Sequence, residues 1–207
     1  MKHIWQSHLY RFLQVTEKNS LEKKILDCGA GGPYPPLALF SQYGYETHGI
    51  DISKSAISSA QKFAEEYKLS LNIIEGDMRK MPYDDESFSF VFSQNSICHL
   101  TKKDTQTAID EITRVLRPGG YCFVDFMSTE SSYFGDESLG KETGPGEFQY
   151  VDEDGDCILH CFHSDNEPEQ YFSGLKIIKK IKTVAEHLLS PIVNIDVRME
   201  YYATKVA

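Results

Sequence analysis

Asp27-Cys28-Gly29-Ala30-Gly31-Gly32-Pro33 puts one carboxylate and three glycines into seven residues, directly after the short apolar run Lys24 to Cys28. Glycines at such a junction let the backbone turn tightly and come close to a ligand. A dinucleotide fingerprint requires GxGxxG. Gly29 and Gly31 satisfy its first half, but Tyr34 occupies the last position, where a bulky side chain prevents close helix packing. Pyrophosphate also needs N–H groups at the start of the helix, and Pro33, Pro35 and Pro36 remove three of them. The loop therefore suits a nucleoside with an amino-acid tail and no phosphate. Asp51 ends the next apolar run, about 20 residues on, where a carboxylate accepts from ribose hydroxyls. Asp77 is placed to accept from an adenine amino group and Met78 to pack on the ring, with Ser93-Gln94-Asn95 over the same crevice. His99 is a candidate general base, since histidine is the side chain whose ordinary pKa lies near neutrality. Plainer roles stand beside these: Asp51 and His99 as helix-flanking polar residues, and Asp77 as a turn residue.

These residues need a scaffold, and the periodicities supply one. Ile4, Trp5, Leu9, Phe12 and Leu13 have the spacing of an amphipathic helix, for which core packing is the first role expected of Trp5. Strands are expected at 24–28, 46–50, 71–75, 88–93 and 121–126. Helices alternate with them: 37–43, bounded by Pro35-Pro36 and Gly44; one capped by Ser53 and striped by Ala56, Ile57, Ala60, Phe63, Ala64 and Tyr67; and one opened by Thr101 and closed by Pro118-Gly119-Gly120. Strand–helix alternation of this kind implies an α/β fold with helices on both faces of a parallel sheet. Beyond residue 127 the rhythm changes. A loop is expected over 128–146, then a hairpin of 148–151 and 157–162 around Asp152-Glu153-Asp154-Gly155. A short helix is expected near Pro168, and strands near 175–184 and 195–204, with a helix over 175–189 as the alternative.

Five of these segments in order resemble the class I S-adenosylmethionine-dependent methyltransferases, in particular their small-molecule, methyltransferase-11-like members. Ile25-Leu26-Asp27-Cys28-Gly29-Ala30-Gly31-Gly32 resembles the first motif and Gly49-Ile50-Asp51-Ile52-Ser53 the acidic second. Gly76-Asp77-Met78, Met81-Pro82-Tyr83 and Phe88 to Ser93 resemble the third and fourth. Leu116-Arg117-Pro118-Gly119-Gly120 is similar to the turn into the fifth strand. The likeness covers roughly residues 20 to 127; Pro33 stands where the family usually has glycine. It implies a Rossmann-like, seven-stranded, mostly parallel sheet in the order 3-2-1-4-5-7-6, with the last strand antiparallel. It implies S-adenosylmethionine as cofactor, with S-adenosylhomocysteine as product, held by Asp27, Gly29, Gly31, Asp51, Ile52, Asp77, Met78 and the Ser93 backbone. Asn95, His99 and His163 are expected at the acceptor pocket, with His99 as the catalytic candidate. One domain is expected over 1–207: a cap helix (1–20), a cofactor core (21–127), a lid and hairpin (128–165) and C-terminal strands (166–207).

Composition narrows the acceptor. The chain of 207 residues carries a net charge of −10 and has no long basic run, so nucleic acid is not expected as a partner. No apolar stretch approaches a membrane span and no signal segment opens the chain, so a cytoplasmic protein without a membrane partner is expected. Five cysteines without zinc-type pairing are expected as free thiols. His160 and His163 would point to opposite faces of a strand, so no metal is expected. A small molecule is the expected acceptor, because little chain remains beyond the core. A protein or peptide acceptor, a non-catalytic cofactor-binding protein and a nicotinamide oxidoreductase are the alternatives, the last disfavoured by Tyr34 and the prolines.

Overall fold

A computed structural model of the chain describes residues 4–151, 155–186 and 195–206. The first half alternates as its periodicities require: α1 (Ser7–Glu17), β1 (Lys24–Cys28), α2 (Leu37–Gln42), β2 (Glu46–Asp51), α3 (Lys54–Tyr67), β3 (Ile73–Glu75), β4 (Phe88–Ser93), α4 (Lys102–Val115) and β5 (Leu116–Ser128). Strands β6 (Lys141–Gly144), β7 (Glu147–Val151), β8 (Cys157–His163), β9 (Lys176–Glu186) and β10 (Ile195–Thr204) follow.

Strands β3-β2-β1-β4-β5 lie side by side and parallel. The antiparallel β10 pairs with β5, and β9 pairs antiparallel with β10 in turn. With β6–β8 set aside as an insertion, this is the order 3-2-1-4-5-7-6 with an antiparallel last strand. Both faces of the sheet are covered, which is why its strands read as continuous apolar runs. Alternate residues separate into two cores. Ile25, Phe90, Phe92, Phe123 and Tyr202 pack with Phe12 of α1 and Phe40 of α2. Leu26, Val91, Val124 and Tyr201 pack with Ile109 and Ile112 of α4. Helix starts are fixed locally: the Ser53 hydroxyl accepts from Ala56 N–H (3.2 Å) and the Thr101 hydroxyl from Asp104 N–H (3.1 Å).

Beyond β5 the structure corrects one expectation. The segment 128–146 is not all loop: it holds a single 3-10 turn, Glu137–Leu139, and strand β6. β6 has no apolar residue, so alternation could not reveal it. Gly140 and Gly146 fold it against its partners. Both have positive φ, and a Cβ would lie 2.3 Å from the Gln149 carbonyl oxygen at Gly140 and 2.7 Å from that of Phe162 at Gly146. β6, β7 and β8 form a small antiparallel sheet whose β8 pairs with β5 at Met127 and Ser128. Most of the turn expected at 152–155 lies outside the described residues. The segment from Lys176 is strand, as its β-branched Ile177, Ile178, Ile181, Thr183 and Val184 favour; the rest of the alternative helix, 187–189, lies outside the described residues. β9 forms an outer edge and carries Lys176, Lys179, Lys180 and Lys182 along it. Cys28, Cys98, Cys122 and Cys161 are buried free thiols, and Cys157 is an exposed one. Among the described residues no helix is long and apolar enough to cross a membrane.

Candidate active site

The strand order reverses between β1 and β4, and ligands in such sheets bind at the carboxyl ends on either side of that point. A cleft of about 620 Å³ opens there. Its floor is the glycine bend. Gly29 N–H and Ala30 N–H both donate to the Ile50 carbonyl, at 2.8 and 3.1 Å, and tie the end of β1 to the end of β2. The bend can be built only from glycine at two places. A Cβ on Gly29, whose φ is +96°, would sit 2.0 Å from the Ser96 hydroxyl, and one on Gly31 would sit 2.5 Å from the Ala56 Cβ.

Asp51 faces this bend. One carboxylate oxygen accepts from Gly31 N–H and the other from Ser53 N–H, each at 2.8 Å. The same side chain therefore shapes the loop and borders the cleft. Next to it, Ile52 is an apolar side chain left 69% exposed, and Met78 lies half-buried on the far strand end. Together they offer apolar surface to a flat ring. Asp77 also borders the cleft, but its carboxylate is already engaged: Arg79 donates to both oxygens at 2.6–3.0 Å and reaches Asp104 at 2.8 Å. Those guanidinium bonds hold the Asp77 carboxyl below its usual range. Arg79, which the sequence reading did not single out, thus closes one end of the cleft.

Asp27 lies beneath the bend, fully buried, with neither carboxylate oxygen hydrogen-bonded among the described residues. Burial, and secondarily the Asp51 charge, push its carboxyl well up. An orphaned carboxyl below a glycine bend fits a ligand that brings a cation, as the amino-acid end of S-adenosylmethionine does. Carboxylate, glycine backbone and apolar ring surface thus fit a ribose, an amino-acid tail and a base with no phosphate between them.

Asp27 lies beneath the cleft without bordering it, and two further expected residues sit elsewhere. Ser93 is wholly buried at the end of β4 and does not border the cleft; Gln94, one residue later, does. His163 is 1% exposed, packed against Phe126 and 3.2 Å from the Tyr171 hydroxyl, so it lines no acceptor pocket. The physical reason is strand alternation: His160 takes the opposite face and approaches His99, ring to ring at 5.2 Å. His99 does border the cleft. Its Nδ1 lies 2.8 Å from the Leu159 carbonyl, which can only accept, so Nδ1 is the donor of that bond. That bond pins β8 to the cleft wall. Trp5 is buried edge-on to Phe63, in the packing role expected of it.

A second cavity, of about 750 Å³, meets the cleft at Gln94 and Asn95, which line both. Asn95 has a left-handed φ of +53°, and its N–H donates to Asp125 at 2.7 Å. The N-terminal segment Gln6–His8 forms one wall of this cavity, held by a 2.6 Å bond from the Gln94 amide to Gln6. Asp125, Arg198 and Glu200 come from β5 and β10. Arg198 and Glu200 lie on β10, beyond the residues over which the sequence resembles the family, and Asp125 lies within them but in none of the quoted motifs.

A family model described as a methyltransferase domain matches residues 26–124. Sterol 24-C-methyltransferase of Saccharomyces cerevisiae is 30% identical over 146 residues, which cover 68% of this chain and 36% of that protein. The uncharacterized methyltransferase YcgJ of Bacillus subtilis is 28% identical over 167 residues, covering 75% of this chain and 65% of that one. The chain thus spans between about a third and two thirds of the length of these curated relatives. A solved S-adenosylmethionine-dependent methyltransferase of Methanosarcina mazei superposes with a TM-score of 0.75 at 22% identity, over 93% of this chain and 97% of that one, and shares its fold. Fold, matched domain and a cleft built for a phosphate-free adenosyl ligand agree: the chain belongs to the class I S-adenosylmethionine-dependent methyltransferases.

Proposed function

We propose that the protein transfers the methyl group of S-adenosylmethionine to a small-molecule acceptor. The observation that carries this reading is the pair of cavities meeting at Gln94 and Asn95: one is floored by the glycine bend and Asp51, and the other is walled by the N-terminal helix and β10. In this reading Asp51 holds the ribose, Ile52 and Met78 sandwich the base, and the Gly29–Gly31 backbone with Asp27 receives the amino-acid end. When bound, the cofactor supplies a methyl group already activated on a sulfonium. The protein's task is then to hold the acceptor atom in line with the S–CH₃ bond at roughly 3 Å and to keep water from the path. Asn95 stands where the two cavities join and fixes that approach. His99 borders the cleft, held by its Nδ1 bond to Leu159, and is retained as the candidate base for an acceptor that enters protonated.

Isothermal titration calorimetry with S-adenosylmethionine tests the first half of this reading, and methyl-labelled cofactor incubated with a small-molecule extract or with a protein extract tests the second. Label entering the small-molecule fraction is the expected result. Label entering only protein would replace the acceptor assignment, and tight binding without transfer to either would mark a binding protein.

A further inference from the structure

We infer that the acceptor taken by the second cavity is a polar molecule carrying a basic amine, which docks on Asp125. This rests on the methyltransferase reading above and specifies its substrate. The sterol enzymes among the relatives name an acceptor built mostly of hydrocarbon. This cavity is unlike that: apart from Ala185 and the ring of Tyr133, its lining side chains are polar or charged.

The charges settle which polar group fits. Glu200 is already matched by its neighbours: Arg11 reaches both its oxygens at 2.6 and 2.7 Å, the Thr183 hydroxyl lies at 2.7 Å and the Tyr202 hydroxyl at 3.0 Å. Arg198 stands between two carboxylates, with Nε 3.1 Å from Asp196 and one Nη 3.4 Å from Asp125. One guanidinium against two carboxylates leaves one negative charge in excess at the cavity wall. His8 adds no positive charge to offset it. Its ring is stacked on Phe123 with Nε2 unpartnered among the described residues, and burial holds its pKa below the usual value. A single ammonium restores neutrality, whereas a carboxylate would be repelled and a neutral hydroxyl would leave the charge unmatched.

Asp125 is the carboxylate of this cavity that is bonded to Asn95, where the two cavities join. It is 4% exposed, and among the described residues its one bond under 3 Å is from the N–H of Asn95, the residue shared with the cofactor cleft. In the step, one N–H proton of the amine passes to Asp125 and the freed lone pair forms the N–CH₃ bond. The S–CH₃ electron pair stays on sulfur, giving the thioether, and the carboxyl then returns its proton to water. Burial raises the Asp125 carboxyl above its ordinary range, against the opposing pull of Arg198, and so makes it a better proton acceptor than a surface aspartate.

The test uses the full chain with deuterated-methyl S-adenosylmethionine and a small-molecule metabolite extract. The labelled product is resolved from unreacted cofactor by chromatography, and its charge is read from electrophoretic mobility at pH 7. A labelled cationic amine is expected. With that amine, Asp125→Asn should raise KM about 10- to 100-fold, the cost of losing a charged hydrogen bond, while calorimetry finds the cofactor Kd unchanged. Asp196→Asn, at a more exposed position, should raise KM in the same direction and serves if Asp125→Asn does not fold. A neutral or anionic labelled product, labelling of a sterol that lacks a methyl group at C24 supplied in parallel, or an unchanged KM in both variants overturns the amine assignment while leaving the methyltransferase reading intact. Failure of the wild-type chain to bind S-adenosylmethionine would instead bring down the reading beneath it.

Discussion

Replacing Asp51 with alanine should weaken S-adenosylmethionine binding about 100-fold. The carboxylate presents two oxygens at the rim of the cleft, and each already accepts one backbone N–H at 2.8 Å, so the group is held rigidly before any ligand arrives. A hydrogen bond to a charged group contributes about 1.5–3 kcal/mol net. Two ribose hydroxyls on a carboxylate that remains partly open to water should together contribute about 3 kcal/mol, which corresponds to roughly two orders of magnitude in Kd. Loss of the Gly31 bond adds to this by loosening the bend that the cofactor must lie across. Asp51→Asn keeps the shape and one acceptor oxygen, so its loss should be nearer 10-fold. Calorimetry on both variants, with circular dichroism to confirm folding, gives the two ratios. A folded Asp51→Ala protein whose Kd lies within threefold of wild type would refute the placement of the ribose and, with it, the orientation of the cofactor in the cleft.

Gly31→Ala would put a Cβ 2.5 Å from Ala56 and 2.6 Å from the Asp51 carboxylate; it should abolish measurable cofactor binding while costing about 1–3 kcal/mol of stability in a denaturant melt. Phe92, wholly buried between Phe12 and Phe40, should cost about 3–5 kcal/mol when cut to alanine, a drop of roughly 10 °C in Tm for a chain of this size. Burial lowers the His163 pKa from 6.5 to about 4, so the unfolded chain binds its proton first as pH falls. Stability should therefore decline from about pH 6.5 downward and level off near pH 4, by about 3 kcal/mol in all. In urea melts across that range His163→Phe should flatten the decline, and an identical slope in the variant would count against a neutral buried imidazole.

The core of the fold was legible because its signals are local. A glycine bend after a buried strand and an N-cap serine before a 3.6-residue stripe each fix backbone geometry within a few residues. The Pro118-Gly119-Gly120 stop was misread: α4 already ends at Val115, and these three residues lie inside β5. The insertion was harder to read. Lys141–Gly144 owes its strand conformation to Gln149 and Phe148 across the ladder, a pairing that no window of four polar residues contains. The site divides in the same way. Gly29, Gly31 and Asp51 carry their roles in their spacing, and the structure brings them together. Ser93, expected to offer its backbone, is buried at the end of β4, and Gln94, the first residue past that strand, is the one that borders the cleft. His163 was misplaced because choosing between it and His160 required knowing which face of β8 meets the cleft. The wall formed by Asp125, Arg198 and Glu200 could not be read at all, because it exists only once β10 is laid against β5, with Arg198 opposite Met127 and Glu200 opposite Asp125.

The lysines along β9 bear on how the molecule behaves in company. A terminal strand leaves a row of amide and carbonyl groups unpaired, and any extended segment drifting past could zip onto it. Here four ammonium groups stand along that border, two of them, Lys180 and Lys182, reaching acidic residues of the same chain. An incoming strand would have to bury or displace those charges before making its first bond, which raises the cost of adding a strand at this edge.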